Sequence, residues 1–256
     1  MKTKKVFALI LAPILLTGCN TRDEIAQKMI DDIEAIGDVN IYDEDAINKA
    51  EALYNTLTEN QKNQVTNYIK LVEARRQIDI LIAQKEKSDA AKREDEYQEN
   101  YNKVVELIFV SGTTAYLGCD LIYTVWHNAI FEVDNSITDK YTKHFYGDKN
   151  EYFYFYDFNK AVLNLRVDSG FQDILKSTDE SKETISTIMD SLNNPPEKWE
   201  LIYQELEDYY DAYIELTNLL KTPTGNLTTY SSKYEDAKNS FDKSYEKLKR
   251  YIDYTV

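Results

Sequence analysis

From Tyr101 onward the apolar residues of this 256-residue chain fall at alternating steps of four and three. Tyr101, Val105, Ile108, Gly112, Ala115, Cys119, Ile122, Trp126, Ala129 and Val133 form one such seam. Leu163, Val167, Phe171, Ile174, Thr178, Ser181, Ile185, Ile188 and Leu192 form a second, polar at its middle. Trp199, Ile202, Leu206, Tyr209, Tyr213, Leu216 and Leu220 form a third. Leu227, Tyr230, Tyr234, Ala237, Phe241, Ser244, Leu248 and Tyr251 form the fourth. Only helices keep such a pattern on one face, and four seams separated by breakers predict an antiparallel four-helix bundle over residues 101–256. Asn193-Asn194-Pro195-Pro196 and Thr222-Pro223-Thr224-Gly225 are two of the breakers. Each is short, so the helices it joins are expected to be antiparallel neighbours.

The first part of the chain reads as helical too, which makes the expected class all-α. IAQKMIDDIEAI is an amphipathic stretch stopped by Gly37. Asp43 is placed to cap a second helix whose apolar positions are Ile47, Ala50, Leu53, Tyr54 and Leu57. Thr58 and Gln61 have the spacing of a capping box. A third helix is expected from about Asn67 through Ile69, Val72, Ile78 and Leu81. Residues 24–83 thus read as a small three-helix module, and residues 84–100 as a charged connector to the bundle. No Gly or Pro lies between Asp38 and Ser111, so nothing interrupts a helix there; mixed-sign charges favour a helical arm over a frayed linker.

The amino terminus carries a different signal. MKTKK precedes the uncharged run Val6–Leu16, and Leu16-Thr17-Gly18-Cys19 follows. Eleven residues are too few to span a bilayer, which takes about 20, and the arrangement is that of an export signal. These residues resemble the lipobox of bacterial lipoproteins. The resemblance implies removal of residues 1–18, a diacylglyceryl group on the sulfur of Cys19, and residues 19–23 as a lipidated tether. Two acyl chains hold a protein at a membrane where one does so only marginally. Without residues 1–18 the chain loses Lys2, Lys4 and Lys5, and its formal charge moves from −15 to −18. So acidic a chain is a poor nucleic-acid binder and is repelled by anionic lipid, so lipid attachment rather than charge must hold it at the membrane. The stretch Ala35–Ala74 resembles a short helical module that recurs in surface proteins of Gram-positive bacteria, on Ile36-Gly37, the Ile47/Ala50/Tyr54/Leu57 face and Val65 through Leu71. That family implies a spacer or interaction module and transfers no catalytic residue. Asn193–Tyr251 is similar to helical domains of unassigned activity in Gram-positive surface and prophage proteins.

Catalytic signatures are missing from the sequence. The only histidines are His127 and His144; there is no HExxH, cysteine pair, nucleophile elbow or phosphate-cradling glycine loop. No metal, cofactor or enzymatic activity is expected. Acidic groups such as Glu205, Glu207 and Asp208 read as a solvated helix face before a carboxylate dyad. Cys119, flanked by Gly112 and Ala115 on its seam, reads as a small core residue. The exception is Asp134–Phe158, a long connection holding His144, Tyr146 and the run Tyr152-Phe153-Tyr154-Phe155-Tyr156. A loop of this length in a bundle is often functional, although packing over one end of the bundle explains its rings as well. At least two of the rings are expected to be exposed. Candidate binding residues are therefore Trp126, His127, His144, Tyr146, Tyr152, Tyr154 and Tyr156. The expected role is a non-enzymatic surface lipoprotein with a cell-wall or surface-protein partner. The alternatives are capture of a glycan, wall fragment or small molecule, and a prophage lipoprotein that interferes with phage entry.

Overall fold

The computed structural model describes residues 21–146 and 151–252, without the side chains of 21–23, 145, 146, 151 and 252. Cys19 and the apolar run before it lie outside these residues. Nine α-helices are described: α1 Thr21–Glu34, α2 Glu44–Thr56, α3 Glu59–Lys62, α4 Tyr68–Phe131, α5 Asp139–Thr142, α6 Phe158–Arg166, α7 Ser169–Leu192, α8 Glu200–Lys221 and α9 Leu227–Ile252. The protein is mostly helical, as expected. It departs from a pure all-α chain in one place, a two-stranded antiparallel sheet of β1 Lys143–Tyr146 and β2 Glu151–Tyr154. Alternating Tyr and Phe on β2 suit a pleated, half-buried surface better than a helix. The chain divides into two units, residues 1–92 and 93–256, with α4 contributing to both.

In the first unit, Met29 and Ile33 of α1 meet Ile47 and Ala50 of α2 and Leu71, Ala74 and Ile78 of α4 in one buried cluster. Gly37, at φ +62°, follows the end of α1 in a conformation that glycine adopts freely. Thr58 and Gln61 form the expected capping box, Thr58 N–H donating to Gln61 Oε1 at 3.0 Å and Gln61 N–H to Thr58 Oγ1 at 3.4 Å. Asp43 stands at the N-cap of α2, but its carboxylate turns away to accept from Asn40 N–H at 2.8 Å. Ile69 and Val72, expected on the inner face of α4, are exposed, and Leu71 takes the core position.

The direction of α4 in this unit is set by three contacts. Asn67 Nδ2 donates to the Ile30 carbonyl at 2.9 Å, Lys70 pairs with Glu34 at 2.7 Å, and Arg75 reaches back to Glu51 of α2 at 2.5 Å. Rising residue numbers on α4 therefore follow rising numbers on α1 and falling numbers on α2. Tyr54 stacked on Tyr68, with centroids 4.0 Å apart, fixes the lower end of the α2–α4 pair.

In the second unit, every residue of the third seam except half-buried Ile202 is buried, and the fourth is buried from Tyr230 to Leu248. Tyr209 packs on Phe241 and Tyr245, Lys182 bonds Asn218 at 3.1 Å, and Lys221 pairs with Asp179 at 2.9 Å. These pairs make α7, α8 and α9 successive antiparallel neighbours. Gly112 lets the Phe241 ring lie directly on the α4 backbone, and Gly118 does the same for Leu220. Cys119 is buried; its thiol faces the Leu216 carbonyl at 3.8 Å, and burial pushes it up to about 12. Length and composition alone would let a stretch of α4 cross a bilayer, at mean hydropathy 1.4, and 44% of that stretch is buried inside the protein.

The second seam is not one helix. It breaks between Arg166 and Ser169, where the Asp168 carboxylate accepts from Gly170 N–H at 3.1 Å and Phe171 N–H at 3.3 Å and so starts α7 afresh. Leu163 and Val167 consequently face solvent, and Ala161, Val162 and Leu165 supply the buried face of α6. The first seam ends at Ala129, because α4 stops at Phe131 and leaves Val133 exposed.

Candidate functional site

The end of α4 is built to turn the chain. Glu132 adopts φ +53°, and Val133 N–H donates to the Asn128 carbonyl at 3.1 Å, closing the helix in a Schellman turn. Asn135 then accepts from Ile137 N–H at 2.9 Å, which leads into α5. Asp134 is left standing beside the hairpin.

The ammonium of Lys143, whose side chain is only 2% exposed, bonds Asp134 at 2.6 Å and pairs with Asp139 at 3.1 Å. It lies 3.9 Å from the ring centroid of Tyr152 and 5.0 Å from that of Tyr154. The register pairs Lys143 with Tyr154 across the ladder, which puts the cation and the tyrosines on one face of the hairpin. The phenols complete the cluster: Tyr154 OH donates to Asp134 Oδ1 at 2.6 Å and Tyr152 OH to Oδ2 at 3.2 Å. Lys143 and the two phenols hold the Asp134 carboxyl down at about 2. Burial and the bond to Asp134 push the Tyr154 phenol up to about 12. Burial works against the Lys143 ammonium, but its bonds to Asp134, Asp139 and Tyr154 outweigh that and raise it.

A depressed carboxyl contributes stability above its unfolded pKa, near 4, and loses it as pH falls through the folded value. The hairpin latch should therefore be intact at neutral pH and loosen only between about pH 4 and pH 2. In a carbon-detected NMR titration, Asp134 should show a midpoint near 2. Lys143→Met should raise it toward the ordinary carboxylate value, short of it because the phenols remain; a midpoint unmoved by that change would show that Lys143 is not its main partner.

The opposite face carries His144 across from Phe153. His144 packs edge-on against Phe155, with ring centroids 4.4 Å apart, and Lys160 lies over the same Phe155 ring, 4.9 Å from its centroid. Tyr152 is 41% exposed, Phe153 58% and Tyr156 99%, so the segment presents more than two open rings. The remaining candidates separate. Trp126 is buried against Tyr230, with centroids 5.9 Å apart, and belongs to the core. His127 is half-buried between Tyr123 and Phe131 on the surface of α4. The side chain of Tyr146 is outside the described residues. Asp134, Asp139 and Lys143 went unnoticed in the sequence, although the i, i+4 spacing of Asp139 and Lys143 was a readable signal.

Two grooves lie elsewhere. One, of about 740 Å³, runs along α1 and α4 of the first unit beneath Ile36, Val39 and Ile69. The other, of about 660 Å³, lies along α8 in the second unit and contains Glu205, Glu207 and Asp208. There Lys247 bridges Glu205 at 2.5 Å and Asp208 at 3.3 Å. Those two carboxylates share one cation, the arrangement of a surface ion-pair network. Among the described residues no cluster of His, Cys, Asp and Glu has the makings of a metal site. Comparisons with protein-family models, with curated proteins and with solved structures find no significant match to the chain.

Proposed function

We propose that this is a cell-surface lipoprotein, anchored in the membrane through lipid on Cys19, that acts as a non-enzymatic spacer and interaction protein on the outer face of the envelope. In this reading a three-helix module stands next to the lipid, and an antiparallel four-helix bundle carries the contact surface. The observation that carries it is the direction of α4 in the first unit. The tether enters at the start of α1, and α4 follows the same direction as α1 before continuing to Lys92. At 1.5 Å per residue, Tyr68 to Lys92 carries the chain roughly 36 Å. That suits a standoff whose lipid end and exit end are opposite. The Cys19→Ala variant should fail to partition with membranes and accumulate unprocessed or in the medium. Wild-type membrane retention in that variant would refute the anchor.

A second reading, capture of a ligand at the hairpin, is favoured by one observation. Tyr152 exposes its ring beside a carboxylate that is 66% open to solvent, and Phe153 and Tyr156 are exposed on the same segment. Exposed rings grouped with a polar group mark contact surfaces more often than isolated ones do.

A further inference from the structure

We propose that Asp134, Tyr152 and Tyr154 form a shallow binding site for an uncharged glycan, recognised through a sugar hydroxyl and one sugar face. The proposal deepens the ligand-capture reading and rests on it; it is independent of the anchor.

The site is held rigidly from below. Lys143 is buried and pinned by Asp134 and Asp139, so the carboxylate and both rings are ordered before any ligand arrives. The Tyr152 and Tyr154 rings stand at 82° to each other with centroids 6.4 Å apart, and the Lys143 ammonium fills the corner between them, so the 41% of Tyr152 that is exposed is the ring surface left to a ligand. Asp134 joins the two phenols along one edge of that corner. Its Oδ1 accepts from Lys143 and Tyr154 at 2.6 Å, whereas Oδ2 accepts from Tyr152 at 3.2 Å. A carboxylate has about four acceptor positions. With 66% of its side chain exposed and three of those positions taken, Asp134 retains capacity for one hydroxyl donor, at Oδ2. Charge-assisted bonds to an ionised acceptor are the strong ones, and a Tyr ring offers apolar area with little entropy to lose.

Charge then selects the ligand. Asp134, Asp139 and Lys143 leave one excess negative charge in a chain of net −15, which repels an anionic polymer. A cation would compete with the Lys143 ammonium, which already lies over the tyrosine rings and pairs with both carboxylates. Neutral hydroxyl donors meet neither obstacle. The surface is open, so affinity should be weak, on the order of millimolar.

The test uses the full chain in detergent, followed by NMR of the tyrosine rings. The probes are a β-1,4-linked N-acetylglucosamine tetramer, maltotetraose, polyglycerol phosphate and spermine. Saturable binding of at least one neutral tetramer is expected, with no binding of polyglycerol phosphate and weaker binding of spermine. Tyr152→Ala and Asp134→Asn should weaken it about tenfold or more, the loss expected for a charged hydrogen bond. Tyr152→Phe, which keeps the ring and its packing, should stay within about threefold, so that a lost hairpin is told apart from a lost contact. No saturable neutral binding would overturn both this proposal and the ligand-capture reading. Binding undiminished in both Tyr152→Ala and Asp134→Asn would leave that reading standing and overturn this site, as would a preference for the anionic or the cationic probe.

Discussion

Replacing Trp199 with alanine should lower the stability of the second unit by about 3–5 kcal/mol, the range for truncating a large buried aromatic. Trp199 is buried where the Glu197–Trp199 turn passes into α8. Its ring packs at 5.2 Å from that of Tyr97 and 5.1 Å from that of Tyr101, joining the start of α8 to α4. At 2–4 °C per kcal/mol for a unit of this size, the melting temperature should fall by roughly 6–20 °C. Trp126, the other tryptophan, stays in the same core and reports the transition by fluorescence. Trp199 Nε1 is buried without a hydrogen-bond partner among the described residues. Trp199→Phe removes that unmet donor along with part of the ring, so it should cost clearly less than alanine. Equal losses in the two variants would mean that the ring contacts are not what holds this junction.

The second large effect is expected at Gly112, and here the cause is too little space. A Cβ at this position would overlap the Phe241 ring of α9. Gly112→Leu should therefore destabilise by roughly 1–3 kcal/mol through overpacking. Combining it with Phe241→Ala, which opens the facing volume, should recover part of that loss, and a double-mutant cycle measures the coupling directly. Gly118 provides the contrast. The atom nearest its added Cβ is the terminal Cδ1 of Leu220, which can rotate aside, so Gly118→Ala should be milder. Additive losses at Gly112 and Phe241 would show that α4 and α9 separate instead of clashing.

These residues also show what the sequence could and could not carry. Trp199 through Leu220 and Tyr230 through Leu248 are legible because each continuous helix presents one face to the core, so spacing translates into burial. Spacing failed at Leu163 and Val167. They keep the step of four, but the Asp168 cap restarts the helix and rotates the two halves independently. Asp168 before Ser169-Gly170 was the available signal, an N-cap residue inside an otherwise tidy seam. The hairpin was obscured because an aromatic run such as Tyr152–Tyr156 fits exposed rings, buried rings and a period-two strand alike. Exposure of the rings was legible; their support was not. Lys143 reads as a surface lysine in any pattern, and only the fold brings Asp134, Tyr152 and Tyr154 around it.

In the proposed function, Cys19 decides where the surface carried by the second unit meets its environment. Mass spectrometry of the protein extracted from membranes of the producing cell tests that directly. The predicted result is a mature chain beginning at Cys19, with residues 1–18 absent and a diacylglyceryl group on the cysteine sulfur. A chain that begins elsewhere, or an unmodified Cys19 thiol, would contradict it.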